Sequence, residues 1–308
     1  MKLKCSAILA LACCMPAAIF GQTVTTPSQQ SRPHPPVTGN TTAGNTPFPS
    51  TDVVPQSTVP LTRPVYYDTF STKWLDPTKW DVNYAPPCER TLECVREIQN
   101  GQLRLVLRNF GVNSDSGDQW SWTGLTFINP NTVYSITADL TVRSFSGMSC
   151  PSNGAVTTHA DAEFGGLYFN TGSGDASDDV SDVVASVVDT NDPKTVHVSN
   201  FMSWRDLGVG ADMGSYPMGT TLTITTTWDK AHHQFISVVN VKDDPSKGMR
   251  VVVPYSSYFV ADTMPPVNPV RWLVTGADTA NCTSTHTYAQ EEVFYDNLIV
   301  NATPKSWE

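Results

Sequence analysis

The sequence predicts an all-β domain of two antiparallel sheets packed face to face, and three observations carry that expectation. Apolar and polar residues alternate with a period of two in several segments. Turn-forming clusters such as Asn129-Pro130-Asn131, Gly172-Ser173-Gly174 and Asp243-Asp244-Pro245 separate those segments. No window holds a helical apolar stripe over three turns, so strands are the economical way to give each segment one buried face.

In chain order, MKLKCSAILALACCMPAAIFG opens with Lys2 and Lys4, continues through an apolar run from Ala7 to Cys14, and ends in small residues. That is the anatomy of a secretory signal over residues 1–21, and its apolar run is too short to span a bilayer, which takes roughly 20 residues. Cleavage is expected near Gly21, and the chain is expected to be secreted. Ala12-Cys13 leaves open a lipoprotein signal cut before Cys13 and a lipid-anchored surface protein. No other stretch is apolar enough to be a transmembrane segment. Residues 22–63 are rich in Pro, Thr and Ser, with only Arg32, Asp52 and Arg63 charged. Such a segment cannot offset its chain entropy by burial, so it reads as a disordered linker, either a spacer or a dispensable tail.

Residues 64–308 show no further composition break and fit one sandwich domain. Leu103, Leu105 and Leu107 alternate with Arg104 and Arg108. Ile136, Ala138, Leu140 and Val142 alternate with Ser135, Thr137, Asp139 and Thr141. Leu222, Ile224 and Trp228 stand opposite Thr221, Thr223, Thr225 and Thr227. β-Branched threonine suits a pleated surface, which strengthens the strand assignment.

The formal charge is −10, from 29 acidic and 19 basic residues, and two of the basic ones lie in the leader. Nucleic acid is excluded as a partner, because its binding is driven by Lys and Arg neutralising phosphates. Outside the leader the cysteines are Cys88, Cys94, Cys150 and Cys282, an even set in an exported chain. Of their three possible pairings, the expected one joins Cys88 to Cys94 and Cys150 to Cys282. The second would close a long loop worth about 4 to 5 kcal/mol at most on the loop-entropy model.

Three segments carry a family resemblance. YYDTFSTKWLDPTKWDV (Tyr66 to Val82) resembles the opening strand and D-P-x-x-W turn of secreted concanavalin A-like lectin and glucanase domains. TLTITTTWDKAHHQFISVVN (Thr221 to Asn240) is similar to a hairpin of those domains, and VFYDNLIVN (Val293 to Asn301) to their closing strand. The resemblance implies a jelly-roll sandwich whose concave face meets carbohydrate, so the expected partner is a polysaccharide or other glycan. It also implies a structural calcium, the one cofactor suggested, held by Asp296 and oxygens near Asp68. It does not fix the function, since one fold hosts many chemistries.

Hydrolases of this superfamily carry Glu-x-Asp-x-Glu on one strand; the nearest match here is His159-Ala160-Asp161-Ala162-Glu163, with histidine in the nucleophile's place. Asp161 and Glu163, two apart on a strand, share a face at a spacing compatible with retaining glycosidases; the other reading puts Asp161 in a loop and Glu163 at a solvated strand end. Leu167 and Phe169 continue their parity unless Gly165-Gly166 makes a bulge. His197, on the polar face of a strand that carries Val196, Val198, Met202 and Trp204 on the other, is a candidate base for lyase chemistry or a hydrogen-bonded surface group. Arg205 either clamps an acidic sugar or pairs with Asp206. Trp120, Trp122, Tyr168 and Trp204 either stack on sugar or fill the core, and Trp120-Ser121-Trp122 puts two rings on one side. Asp175, Asp178, Asp179 and Asp182 offer calcium-type oxygens or form a solvated loop. Three functions follow: a secreted glycan-binding domain, a glycoside hydrolase or polysaccharide lyase with an atypical site, and a non-catalytic adhesion module.

Overall fold

The computed structural model describes residues 66–81, 93–154, 156–205, 207–256, 258–259 and 261–301. The expected leader and linker, Cys88 and Asp206 lie outside them. The strands are β1 (Glu93–Gln99), β2 (Gln102–Phe110), β3 (Asp118–Thr126), β4 (Ser135–Met148), β5 (His159–Asn170), β6 (Asp179–Asp189) and β7 (Thr195–Trp204). They continue with β8 (Leu207–Pro217), β9 (Thr221–Asp229), β10 (Gln234–Val241), β11 (Asp244–Pro254), β12 (Val270–Ala280) and β13 (Tyr288–Val300). Among the described residues only three short 3₁₀ turns interrupt them, and no helix is long and apolar enough to cross a membrane.

One sheet has seven strands in the order β1-β2-β13-β4-β9-β10-β11, the other six in the order β3-β12-β5-β6-β7-β8. Every neighbouring pair is antiparallel. The expected sandwich is therefore the observed one. Some turns are local: Asn100-Gly101 joins β1 to β2 with both φ values positive, 53° and 77°, as a right-twisted two-residue hairpin requires.

The period-two pattern explains the core. Leu103 and Leu105 of β2 and Ile136, Ala138, Leu140 and Val142 of β4 turn inward against Phe164, Val184, Val198 and Leu273 of the facing sheet. Their polar neighbours form the opposite face, where Thr137 meets Thr225 and Thr141 meets Thr221, each pair at 2.8 Å, and Arg104 pairs with Glu292 at 2.6 Å. Such cross-strand pairs are the local unit of sheet stability.

Thr226 breaks the threonine pattern by turning inward. Its hydroxyl donates to Asp182 at 2.7 Å, while Asn200 donates to the other oxygen of that carboxylate at 2.9 Å. The four acids of Gly172 to Asp182 do not share one environment: Asp175 is exposed, and the other three are buried. Asp175 accepts from the Ser177 amide, Asp178 pairs with Arg205, Asp179 takes the amides of Val267 and Asn268, and Asp182 lies in the core.

The opening segment is stapled on by aromatics. Trp80 packs against Tyr67 and Phe127 with ring centroids 5.7 and 5.0 Å away, and its indole N–H donates to Asp68 at 2.9 Å. Asp68 in turn bridges to Leu298 near the end of β13. Cys150 and Cys282 form the expected long-range disulfide, with Cα atoms 5.3 Å apart across 132 residues. Cys94 is also disulfide-bonded.

Candidate functional site

The face of the six-stranded sheet turned away from the core gathers most of the sequence-nominated residues, and strand register sets their order. One row crosses all six strands: Trp122, Gly276, Asp161, Val187, His197 and Ser215. A second runs Trp120, Asp278, His159 and Asp189, and a third runs Gly124, Val274, Glu163, Ala185, Ser199 and Asp212. At roughly 4.8 Å per strand, Asp161 lies about 10 Å from both Trp122 and His197 along its row.

Trp120 and Trp122 point the same way, as their spacing predicts, and both rings are half-buried. Glycine at 276 is a steric requirement: a side-chain carbon there would run into the edge of the Trp120 ring and a carboxylate oxygen of Asp161. The ring and the carboxylate therefore share the space above β12. Beneath them, Tyr295 reaches from the other sheet and donates to the carbonyls of Glu163 and Val274 at 3.0 and 2.7 Å, fixing β5 against β12.

Both carboxylates of the nominated pair are enclosed, Asp161 at 0% and Glu163 at 5% exposure. Asp278 is enclosed as well, and burial with the neighbouring Asp118 carboxylate pushes it above the ordinary range. His197 is open to solvent; its Nδ1 sits 2.9 Å from Ser215 Oγ and its Nε2 3.9 Å from Asp192. A general acid or base has to reach the atom it serves, so the exposed members of this face suit contact and the enclosed ones suit support.

The structure separates three nominated residues from this face. The pairing of β5 with β6 slips between Leu167 and Phe169, a bulge placed after the glycine pair rather than on it. Leu167 stays outside, packed near Trp272, whereas Tyr168 joins Phe169 in an inner aromatic cluster. Tyr168 is thereby corrected from stacking residue to core residue: Arg271 lies over its ring at 3.7 Å. Trp204 packs against Phe259 at the end of β7, with centroids 5.3 Å apart. Arg205 covers Trp204 at 5.1 Å and pairs with Asp178; that guanidinium holds Asp178 below the usual carboxylate range.

Asp68 does not fit a calcium ligand. Its oxygens accept from the Phe70 amide at 2.8 Å and Trp80 Nε1 at 2.9 Å, with Lys79 Nζ 3.9 Å away. N–H donors and an ammonium are partners for an anion, whereas calcium takes oxygens. Asp296 accepts from the Asn297 amide at 2.7 Å. Among the described residues, the one gathering of three metal-type ligand atoms is Asp115 with Cys150 and Cys282, whose sulfurs are tied up in the disulfide.

Sequence reasoning missed Trp272, Asp278 and the membership of His159. Period-two reading of VRWLVTGADTA would have put Trp272, Val274, Gly276 and Asp278 on one side. Only strand order could have placed that side between β3 and β5.

The class the fold defines is a two-sheet antiparallel β-sandwich. No family model matches the chain, and no curated protein matches it. Among solved structures it is similar to lectin II from Ulex europaeus, at 10% identity over 70% of this chain and 96% of that one, TM-score 0.30. It is similar also to alginate lyase Aly36B, at 13% identity over 78% and 96%, TM-score 0.35. A xylan β-1,4-xylosidase from Bacillus halodurans C-125 matches at 11% identity and TM-score 0.36, over 80% of this chain and 41% of that one. At these scores the similarities bear on neither substrate nor site.

Proposed function

We propose that this is an exported domain that binds carbohydrate on the outer face of the six-stranded sheet. The observation that supports it most is the pair of half-buried indoles, Trp120 and Trp122, held side by side over Gly276. Flat aromatic faces serve ligands that are apolar on one side and hydroxyl-rich at the edge. His197 and Ser215 add exposed hydrogen-bonding groups at the far end of the same row.

Binding is favoured over hydrolysis or elimination because Asp161 and Glu163 are enclosed. Glycosidases need two carboxyls flanking the scissile bond, and here Asp161 has no exposed surface and Glu163 keeps 5%. The test is a glycan array followed by titration calorimetry. Trp122→Ala is expected to weaken binding on the order of tenfold, or about 1.4 kcal/mol, while Glu163→Gln keeps most of the affinity. Turnover of an array ligand that vanishes in Glu163→Gln would transfer the protein to the hydrolase or lyase class. An array without a single ligand would favour an adhesion module.

A further inference from the structure

We propose that this face selects its glycan by charge, accepting extended chains of amine-bearing or uncharged sugars and rejecting uronates and sulfated sugars. The inference rests on the glycan-binding reading and adds the chemical class of the ligand to it.

Two observations carry it. First, the six strands β3, β5, β6, β7, β8 and β12 contain one Lys or Arg among them, Arg271. Arg271 is buried on the inner side, donating to the Val133 carbonyl at 3.1 Å and lying over Tyr168. No strand of this sheet therefore sets a permanent cation on its outer face. The same face carries the open carboxylates of Asp118 and Asp212 and the half-buried one of Asp189, with Asp192 close beside His197. Asp161 and Glu163 lie below them. Among the described residues Arg96 of β1 reaches the β3 edge, where it donates to the Gly124 carbonyl at 2.9 Å, but no strand of this sheet itself offers a guanidinium or ammonium to a sugar carboxylate. Such a carboxylate meets like charge along the rows, whereas an ammonium meets opposite charge.

Second, the accessible groups of the central row are spread out rather than clustered. Trp122 stands at one end, half-buried Val187 in the middle, and His197 with Ser215 at the other. Six strands at roughly 4.8 Å spacing make a row of about 24 Å, longer than any monosaccharide. The ligand shape that uses both ends is a linear oligosaccharide lying across the strands.

The experiment presents the full chain with linear glycans of equal length in four classes on one array: N-acetylglucosamine, glucosamine, glucuronate and sulfated N-acetylglucosamine. Calorimetry at low and high salt follows, in mildly acidic buffer where the amine is charged. Glucosamine chains are expected to bind on the order of tenfold tighter than N-acetylglucosamine chains at low salt. High salt should erase that advantage, because exposed charges are screened. The double variant Asp118→Asn/Asp212→Asn, checked for intact fold by circular dichroism, should narrow the ratio between amine-bearing and acidic chains. Acidic chains that bind as tightly as the others would overturn the charge selection and leave glycan binding standing. An array blank in all four classes, and blank for the wider glycan panel, would overturn both.

Discussion

Glu291 sits between the sheets on β13, fully enclosed, with Thr275 Oγ1 donating to it at 2.7 Å. Burial pushes its carboxyl up to about 8, and Asp182, in a similar position, to about 7. Both folded-state values lie above those of the unfolded chain. Their stabilisation is therefore complete below the unfolded values near 4 and is lost as pH rises towards 7 to 8. Urea midpoints should accordingly be highest in mildly acidic buffer and fall by an amount equivalent to a few kcal/mol by pH 8. Glu291→Gln should flatten roughly half of that slope, with Asp182 keeping the rest. Gly276→Ala makes a second expectation at this scale: the added carbon displaces Trp120 or Asp161, costing about 1 to 3 kcal/mol in denaturant unfolding and loosening the outer face of the six-stranded sheet. Neither residue could be singled out from the sequence. Glu291 alternates correctly with Ala289, Val293 and Tyr295, but an acid in an inward register looks like any other strand residue until its neighbours are known.

At the level of strands, alternation was legible wherever a strand is regular. The inward apolar residues of β2, β4 and β9 were readable from their spacing, while the inward Thr226 was not. It failed at β5, where the slip between Leu167 and Phe169 sends Tyr168 inward. A bulge is a backbone event set by the pairing strand, and no side-chain pattern announces it. What it accomplishes is to bring Tyr168 under Arg271, whose guanidinium also binds the carbonyls of Leu167, Val270 and Val133. Burial lowers that guanidinium to about 10, and the ring and carbonyls compensate. Arg271→Met leaves those carbonyls without their donor and should cost about 3 to 5 kcal/mol, read as a fall in melting temperature. Arg271→Lys should not restore it, because an ammonium cannot present the planar fork that the site uses.

For the whole molecule, the sandwich was legible because every alternating segment demanded a partner layer; the even cysteine count announced disulfides, while the Cys150–Cys282 link was one of three possible pairings. Strand order was not legible. β13 pairs with β2 and β4, and β12 with β3 and β5, contacts between segments far apart in the chain that no local signal encodes. Reducing that disulfide, or Cys150→Ser, should lower stability by about 2 to 5 kcal/mol, measured by urea unfolding with and without reductant.

The central placement of β13 also dictates when the protein can be finished. A ribosome emitting this chain from its first residue has released twelve strands before the one that joins β2 to β4 emerges. Until then the seven-stranded layer exists only as two separate ribbons with bare edges, one β1 with β2, the other β4 with β9 to β11. Such a chain waits, unclosed and open to wrong partners, until its last strand arrives.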